Sequence, residues 1–201
     1  MRLYLLRHEM TDWNLERKIQ GSSNIELNEE GKRRADALAP FFDKIELVGL
    51  YCSTLSRTVE TIERATRRKY IAVVEEIAAL DERNCGEWEG MNSDEYQARM
   101  MAIIPEGMSR FDFRAPGGES INDVRARVLP FFEKILHDHG NDSRTEVLIT
   151  TSQIPAKIMM YYIGGYSRFM DTPHLGNGGM HIAQYKDGLW IVEKVNYDPR
   201  L

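Results

Sequence analysis

The residue pair Arg7-His8 follows a short apolar run, Leu3 to Leu6, near the start of the chain. A histidine at the tip of a buried strand can attack phosphorus, because neutral imidazole is a competent nucleophile near neutral pH. The neighbouring guanidinium can hold phosphate oxygens through a two-pronged hydrogen bond. Such pairs also arise by chance, so a phosphate site is indicated only if the chain supplies the other parts.

Phosphoryl transfer also needs cations or donors for the phosphoryl oxygens and a proton source for the leaving oxygen. Arg57 lies about one helical turn after Ser53, the expected cap of a helix whose N-terminus favours an anion. Glu82 lies in a charged segment with two glycines, residues 80–90, which is expected to form a loop and to bring a proton donor to the pocket. Two other interpretations stay open here: Arg57 as a solvated helix residue and Glu82 as part of a surface charge run.

Strand and helix patterns alternate along the chain. Apolar runs predict strands at 3–6, 47–51, 70–74 and 147–150, and alternating runs around Asp187-Gly188 predict a closing hairpin of 180–185 and 189–195. Helices are predicted from Asn28 to Phe42, from Ser53 to about Arg68, from Ser120 to near Gly140 and around 156–162. Pro130 is expected to kink or break the third of these helices.

This alternation favours an α/β fold, a three-layer αβα sandwich with a mostly parallel central sheet. Ligands bind beyond the carboxyl ends of strands in such sheets. His8, Ser53 and Ser152 each follow a predicted strand, so we expect them at one edge. Residues 92–116 contain three methionines and no clear core strand, and we interpret them as a lid or insertion within one domain spanning 1–201.

Composition narrows the class of protein. With 201 residues, 42% apolar content and a net charge of −5, the chain is expected to bind neither nucleic acid nor an anionic membrane. Cys52 and Cys85 are too few for a disulfide framework or a zinc site and are interpreted as reduced thiols. No apolar run reaches transmembrane length and the first is too short for a signal peptide, so we expect a cytoplasmic protein. No cluster has metal-ligand spacing, so we expect no metal and no cofactor.

Five motifs follow one another in a fixed order. They are Leu6-Arg7-His8 with Thr11, Trp13 and Asn14; Gln20-Gly21 through Gly31; Tyr51-Cys52-Ser53 with Arg57 and Thr61; Leu80 to Gly90; and Pro116 to Ser120. Over nearly the whole chain this series resembles the histidine phosphatase superfamily, which has the phosphoglycerate mutase-like fold. The resemblance implies a phosphorylated histidine at His8, a phosphate clamp of Arg7 and Arg57, a proton donor at Glu82, and pocket-lining residues Asn14, Ser22 and Ser23.

Two positions depart from the family pattern. Glu9 stands where the family usually has a small residue, and its carboxylate about 4 Å from a phosphate would cost roughly 4 kcal/mol at an effective dielectric of 20. We expect Glu9 to point away and pair with a basic residue. Ser152 stands where the family has a second histidine that binds the phosphoryl group, and Gln153 follows it. Losing such a transition-state donor costs on the order of 10²- to 10³-fold in rate.

Three functions are therefore compared. The first is a phosphatase that hydrolyses a phosphomonoester through a phosphohistidine at His8, weakened because Ser152 donates only one neutral, short hydrogen bond. The second is an inactive pseudophosphatase that binds a phosphorylated ligand, and the third is a mutase-like phosphotransferase, which the lack of a long insertion disfavours. The expected partner is a small phosphorylated metabolite or inorganic phosphate. His174 is a histidine that could approach the site from a loop, and the closing hairpin offers an edge for a homodimer.

Overall fold

A computed structural model describes residues 1–67 and 74–201. Six strands form one sheet in the order β3-β2-β4-β1-β5-β6. They are β1 (Arg2–Arg7), β2 (Leu47–Cys52), β3 (Val74–Glu76), β4 (Glu146–Thr151), β5 (Met180–Lys186) and β6 (Leu189–Tyr197). The first four pair in parallel, whereas β5 joins β1, and β6 joins β5, in antiparallel register. The mostly parallel sheet and the closing hairpin confirm the predicted architecture. The strand predicted at 70–74 lies outside the described residues except for Val74.

Seven α-helices occur in the described residues. They are α1 (Asp12–Leu15), α2 (Glu29–Asp36), α3 (Ala39–Phe42), α4 (Ser56–Ala65), α5 (Ser93–Ile103), α6 (Ile121–His139) and α7 (Gln153–Gly164). Asn28 caps α2 as predicted, since its side chain accepts a hydrogen bond from the Gly31 amide. The prediction of one helix up to Phe42 is wrong, because α2 ends at Asp36 and Pro40 in α3 lacks the amide hydrogen that would continue it.

Two further helix predictions need correction. Ser53 is not the N-cap of α4, which is Leu55; the Ser53 hydroxyl instead accepts from the Leu55 amide at 3.3 Å. The predicted end near Arg68 lies outside the described residues, and α4 ends at Ala65. Pro130 does not break α6, which runs unbroken from Ile121 to His139. Proline removes a single amide donor there, and the buried apolar face of α6 holds the helix together.

Helices cover both faces of the sheet. Leu3 and Leu5 of β1 pack into a core with α6 and α7, whereas Tyr4 and Leu6 pack on the opposite side with residues of α3 and α4. Because successive side chains of a strand point to opposite faces, β1 is buried on both sides and its carboxyl end is held firmly at the sheet edge. The three-layer arrangement therefore fixes where Arg7 and His8 emerge.

Residues 92–116 contain α5 and no strand. Tyr96 and Met100 of α5 pack with Trp88 and Phe113 in a small separate core. The rings of Trp88 and Tyr96 meet edge to face, with centroids 5.3 Å apart. This core ties α5 to the loop that carries Glu82; movement of the segment as a lid stays a prediction. In the described ranges, no helix has both the length and the apolar content needed to cross a bilayer.

Candidate active site

Three parallel strands end at one edge of the sheet, where several of the predicted site residues follow them. Strand β4 lies between β1 and β2, with Thr151 opposite Arg7 and Thr150 opposite Cys52. The register therefore continues with His8 opposite Ser152 and with Ser53 opposite Thr151, so the three residues leave neighbouring strands within one residue of the same level. The amide of His8 donates to the Thr151 carbonyl at 3.0 Å, which continues the ladder past the end of β1.

A cavity of about 280 Å³ opens at this edge. Five of the predicted site residues line it: Arg7, His8, Asn14, Arg57 and Glu82. Lys18 and Arg83 also line the cavity, so its wall carries four cationic side chains against one carboxylate. This imbalance favours an anionic ligand, although the whole chain is acidic.

His8 is held as a neutral imidazole with one free nitrogen. Its Nδ1 lies 2.7 Å from the backbone carbonyl of Glu9. Because a carbonyl oxygen can only accept, Nδ1 carries the proton and Nε2 keeps its lone pair. Burial, together with the positive charges of Arg57 and Arg7, holds the pKa of His8 well below its usual 6.5. A neutral ring with a fixed tautomer is the form that can attack phosphorus.

Arg57 is fully buried and is oriented by a loop. Its Nη1 donates to the Ser23 carbonyl and its Nη2 to the Gly21 carbonyl, each at 2.7 Å. Gly21 adopts a left-handed φ of +53°, and an added Cβ would lie 2.0 Å from the carboxylate of Glu89, so this turn requires glycine. The loop therefore fixes two guanidinium nitrogens of Arg57 and leaves Nε without a partner among the described residues.

Arg7 also has a guanidinium nitrogen without a hydrogen-bond partner in the described chain. Its Nη1 donates to the Leu175 carbonyl at 2.7 Å, and its Nε has no partner among the described residues. Within those residues, neither Arg7 nor Arg57 forms an ion pair or a hydrogen bond with a carboxylate. Buried cations are costly unless paired and hydrogen-bonded. The two guanidiniums thus leave donors and positive charge available for a bound anion.

Glu82 reaches the site from the loop after β3. Its Oε1 accepts from the amides of Arg83 at 2.7 Å and Ile154 at 3.3 Å, so the carboxylate lies against the N-terminus of α7. Arg127 of α6 fixes the same loop by donating to the carbonyls of Asp81 at 2.8 Å and Glu82 at 3.1 Å. Arg127 received no role from the sequence, and on a helix with about as many polar as apolar residues no local signal distinguished it from Arg125.

Ser152 precedes α7 and is completely buried. Its hydroxyl does not cap the helix and has no hydrogen-bond partner among the described residues. The serine thus lies between β4 and the cavity-lining Gln153, with a donor that nothing uses. Its predicted contact with a phosphoryl group stays a prediction.

Ser22 and Ser23 are turned towards Glu89 rather than towards the other predicted residues. Both hydroxyls donate to its carboxylate, and the amide of Ser22 does so at 2.7 Å. Neither serine lines the cavity. Glu89 therefore organises the loop whose carbonyls bind Arg57, a role that the sequence reasoning missed. Direct binding of substrate by Ser22 and Ser23 stays a prediction.

Glu9 points away from the cavity, which confirms the expectation for its side chain. The buried carboxylate pairs with Arg34 at 3.0 Å and with Arg200 near the end of the described chain. Gly178 packs against it with a left-handed φ of +69°, and an added Cβ would lie 1.7 Å from Glu9 Oε1. Two guanidiniums thus neutralise the anion beside the nucleophile.

His174 is solvent-exposed and does not line the cavity, but it contacts a residue that does. Its Nδ1 is 3.0 Å from Nε2 of Gln153, which does line the cavity. The sequence reasoning singled out His174 but gave Gln153 no part in chemistry. Within residues 1–67 and 74–201, no group of three His, Cys, Asp or Glu side chains could hold a metal ion.

Comparison with known proteins places these residues in a family context. The sequence profile described as the histidine phosphatase superfamily (branch 1) matches residues 3–198. A 2,3-bisphosphoglycerate-dependent phosphoglycerate mutase of Azorhizobium caulinodans is 31% identical over 175 residues, which cover 78% of this chain and 84% of the relative. Phosphoserine phosphatase 1 of Hydrogenobacter thermophilus is 30% identical over 79% of this chain and 74% of its own length.

Solved structures give the same fold. A mycobacterial glucosyl-3-phosphoglycerate phosphatase in complex with VO3 superposes with a TM-score of 0.81 over 98% of this chain and 99% of its own. At 22% identity, this likeness supports the fold alone. YhfR of Bacillus stearothermophilus reaches a TM-score of 0.80 at 25% identity, over 99% and 98% of the two chains.

Proposed function

Because the chain belongs to the histidine phosphatase superfamily, we propose that it hydrolyses a phosphomonoester through a phosphohistidine at His8. One observation carries the proposal: the hydrogen bond from His8 Nδ1 to the Glu9 carbonyl leaves Nε2 as the free nucleophile. That ring lines a cavity with two guanidiniums that lack a carboxylate partner in the described chain. A small phosphorylated metabolite as substrate and the cytoplasm as location belong to the same proposal.

The reaction has two steps. In the first, Nε2 of His8 forms a bond to phosphorus while the ester oxygen leaves and takes a proton from the carboxyl of Glu82. In the second, water attacks phosphorus, the N–P bond breaks, and the carboxylate of Glu82 accepts the proton from that water. Arg7 and Arg57 stabilise the charge on the phosphoryl oxygens in both steps.

We expect a low rate, because the resemblance puts Ser152 at the position of the family's second histidine. A hydroxyl one bond from Cβ reaches less far than an imidazole and donates a neutral bond. Loss of one transition-state donor costs on the order of 10²- to 10³-fold in turnover. The proposed nucleophile His8 and proton donor Glu82 both line the cavity, and a protein that only binds phosphate needs neither role.

A pseudophosphatase that binds a phosphorylated ligand without turnover is the second candidate. The unpartnered, buried hydroxyl of Ser152 favours it, since the site lacks a charged donor at that point. A mutase-like phosphotransferase is the third candidate, named because the relatives include both phosphoglycerate mutases and a phosphatase. Hydrolysis and transfer share the phosphohistidine and differ in the acceptor.

The test is an assay with p-nitrophenyl phosphate on the unaltered chain and on the variants His8→Ala and Ser152→His. We expect slow turnover, its loss in His8→Ala, and a gain of on the order of 10²-fold in Ser152→His. Absence of turnover in all three, together with tight phosphate binding by calorimetry, would favour the pseudophosphatase. Equal turnover with and without His8 would refute the phosphohistidine.

A further inference from the structure

Gln153 is the first residue of α7 and follows Ser152 directly. It lines the cavity together with Arg7 and His8. The family pattern that this chain resembles has a small residue at this position, so the long amide side chain is a departure. Its Nε2 lies 3.0 Å from Nδ1 of His174, 21 positions further along the chain.

The other end of the same amide has no partner. Oε1 of Gln153 is buried and accepts no hydrogen bond from any described residue. A carbonyl oxygen beside an anionic phosphoryl group would repel it, whereas an N–H at the same point would bind it. A half-turn about the terminal bond of the side chain exchanges the oxygen and nitrogen of a glutamine in nearly the same volume.

The half-turn keeps the hydrogen bond to His174 and puts a donor where the structure has an unpartnered acceptor. Oε1 then accepts from His174, whose single proton moves to Nδ1, and the N–H₂ group takes the buried position that Oε1 held, where it is free to donate to an anion. His174 is suited to this change, because partial burial and the positive charges of Lys157 and Arg7 lower its pKa and favour the neutral ring. A neutral imidazole can carry its proton on either nitrogen.

We propose that Gln153 donates its amide N–H to the phosphoryl group in place of the missing second histidine, and that His174 holds the amide in that orientation. The inference rests on the proposed function, because it concerns the same phosphoryl group. Gln153 extends three bonds beyond Cβ, whereas the Ser152 hydroxyl is one bond from Cβ. The glutamine thereby supplies the reach that the serine lacks, and His174 is a positioning residue.

The first test measures binding of orthovanadate and of inorganic phosphate by calorimetry, so it does not depend on turnover. Gln153→Leu should weaken binding roughly 10- to 100-fold, the value of one charge-assisted hydrogen bond. Gln153→Glu should weaken it further, since a similarly shaped carboxylate repels the anion. Gln184→Leu is the matched control, because Gln184 lies opposite Arg2 at the far end of the sheet. This variant should bind phosphate and orthovanadate as tightly as the unaltered chain does.

The second test asks whether His174 acts through Gln153. His174→Phe should weaken vanadate binding several-fold, and His174→Asn should restore it, because an asparagine amide can donate to Oε1. In the Gln153→Leu background, His174→Phe should have no further effect. Independent losses that add in the double variant would overturn the positioning role.

Distinct outcomes separate the two proposals. Unchanged phosphate affinity in Gln153→Leu overturns this inference and leaves the proposed hydrolysis intact. Weaker binding in Gln153→Leu without turnover in any variant supports the inference and overturns the hydrolysis. If Gln153→Leu fails to fold, Gln153→Asn, which shortens the amide by one methylene, replaces it with the same expected loss. An unaltered chain that binds no phosphate overturns both.

Discussion

Replacing Glu9 by glutamine tests how the anion beside the nucleophile is neutralised. The carboxylate is fully buried, whereas the side chains of its partners Arg34 and Arg200 are 37% and 14% exposed. Breaking a buried ion pair costs about 3–5 kcal/mol. The partial exposure of both arginines lets them regain water, so we expect a loss of roughly 2–3 kcal/mol in the free energy of unfolding.

The measurement is urea unfolding of Glu9→Gln beside a matched control, Glu193→Gln. With a slope of roughly 2–3 kcal/mol per molar for a chain of this size, the midpoint should fall by about 1 M. Glu193 pairs with Arg2 at 3.1 Å, and both side chains are about one-third exposed. A surface pair of this kind contributes about 0–1 kcal/mol, so the control midpoint should fall by less than about 0.4 M.

Phosphate affinity supplies the second readout for Glu9→Gln. A carboxylate about 4 Å from the phosphate would cost roughly 4 kcal/mol at an effective dielectric of 20, so its removal would tighten binding about 1000-fold. In the structure the carboxylate faces Arg34 and Arg200, and we expect the affinity to change by less than about 3-fold. Equal destabilisation by both variants, or a large gain in affinity, would refute this account of Glu9.

Three further predictions concern charge. Arg57→Gln should weaken phosphate binding on the order of 100-fold in calorimetry, because it removes a guanidinium whose charge is not neutralised by any carboxylate in the described chain. An unchanged affinity would contradict the proposed phosphate clamp. Turnover should stay level as the pH falls from 7 through 6.5, because the pKa of His8 lies well below 6.5, and in Arg57→Gln the acid limb should move to higher pH; a limb centred at or above 6.5 in the unaltered chain would contradict this. His181 is buried, and its pKa falls from 6.5 to about 4 on folding, so its stabilisation is complete above pH 6.5 and is lost as the pH falls towards 4. The variant His181→Asn keeps an acceptor for the Asn196 amide. When the pH falls from 7 to 5, its free energy of unfolding should drop by about 2 kcal/mol less than that of the unaltered chain. Equal drops for the two proteins in urea titrations would refute this prediction.

Local sequence was enough for most of the strands and for the starts of α2 and α6, but it did not predict α1 or α5. An apolar run predicts the doubly buried strand β1, the capping residues Asn28 and Ser120 predict helix starts, and Asp187-Gly188 predicts the hairpin turn. These signals are readable from sequence because each depends only on neighbours within a few residues. The five motifs then resembled one family, and the family assignment is confirmed. The catalytic roles inferred for single residues stay predictions.

Side-chain partners between distant segments were decided by the tertiary structure. Glu9 meets Arg200 across 191 positions, and Gln153 meets His174 across 21. The partner of a buried polar group depends on the packing of the whole chain. A buried group without a partner is costly, so packing must supply one, but the local sequence is compatible with many arrangements of the same motifs. The sequence by itself thus determined the fold and the chemistry available at the sheet edge, whereas the structure decided which charges face the cavity and which are neutralised behind it.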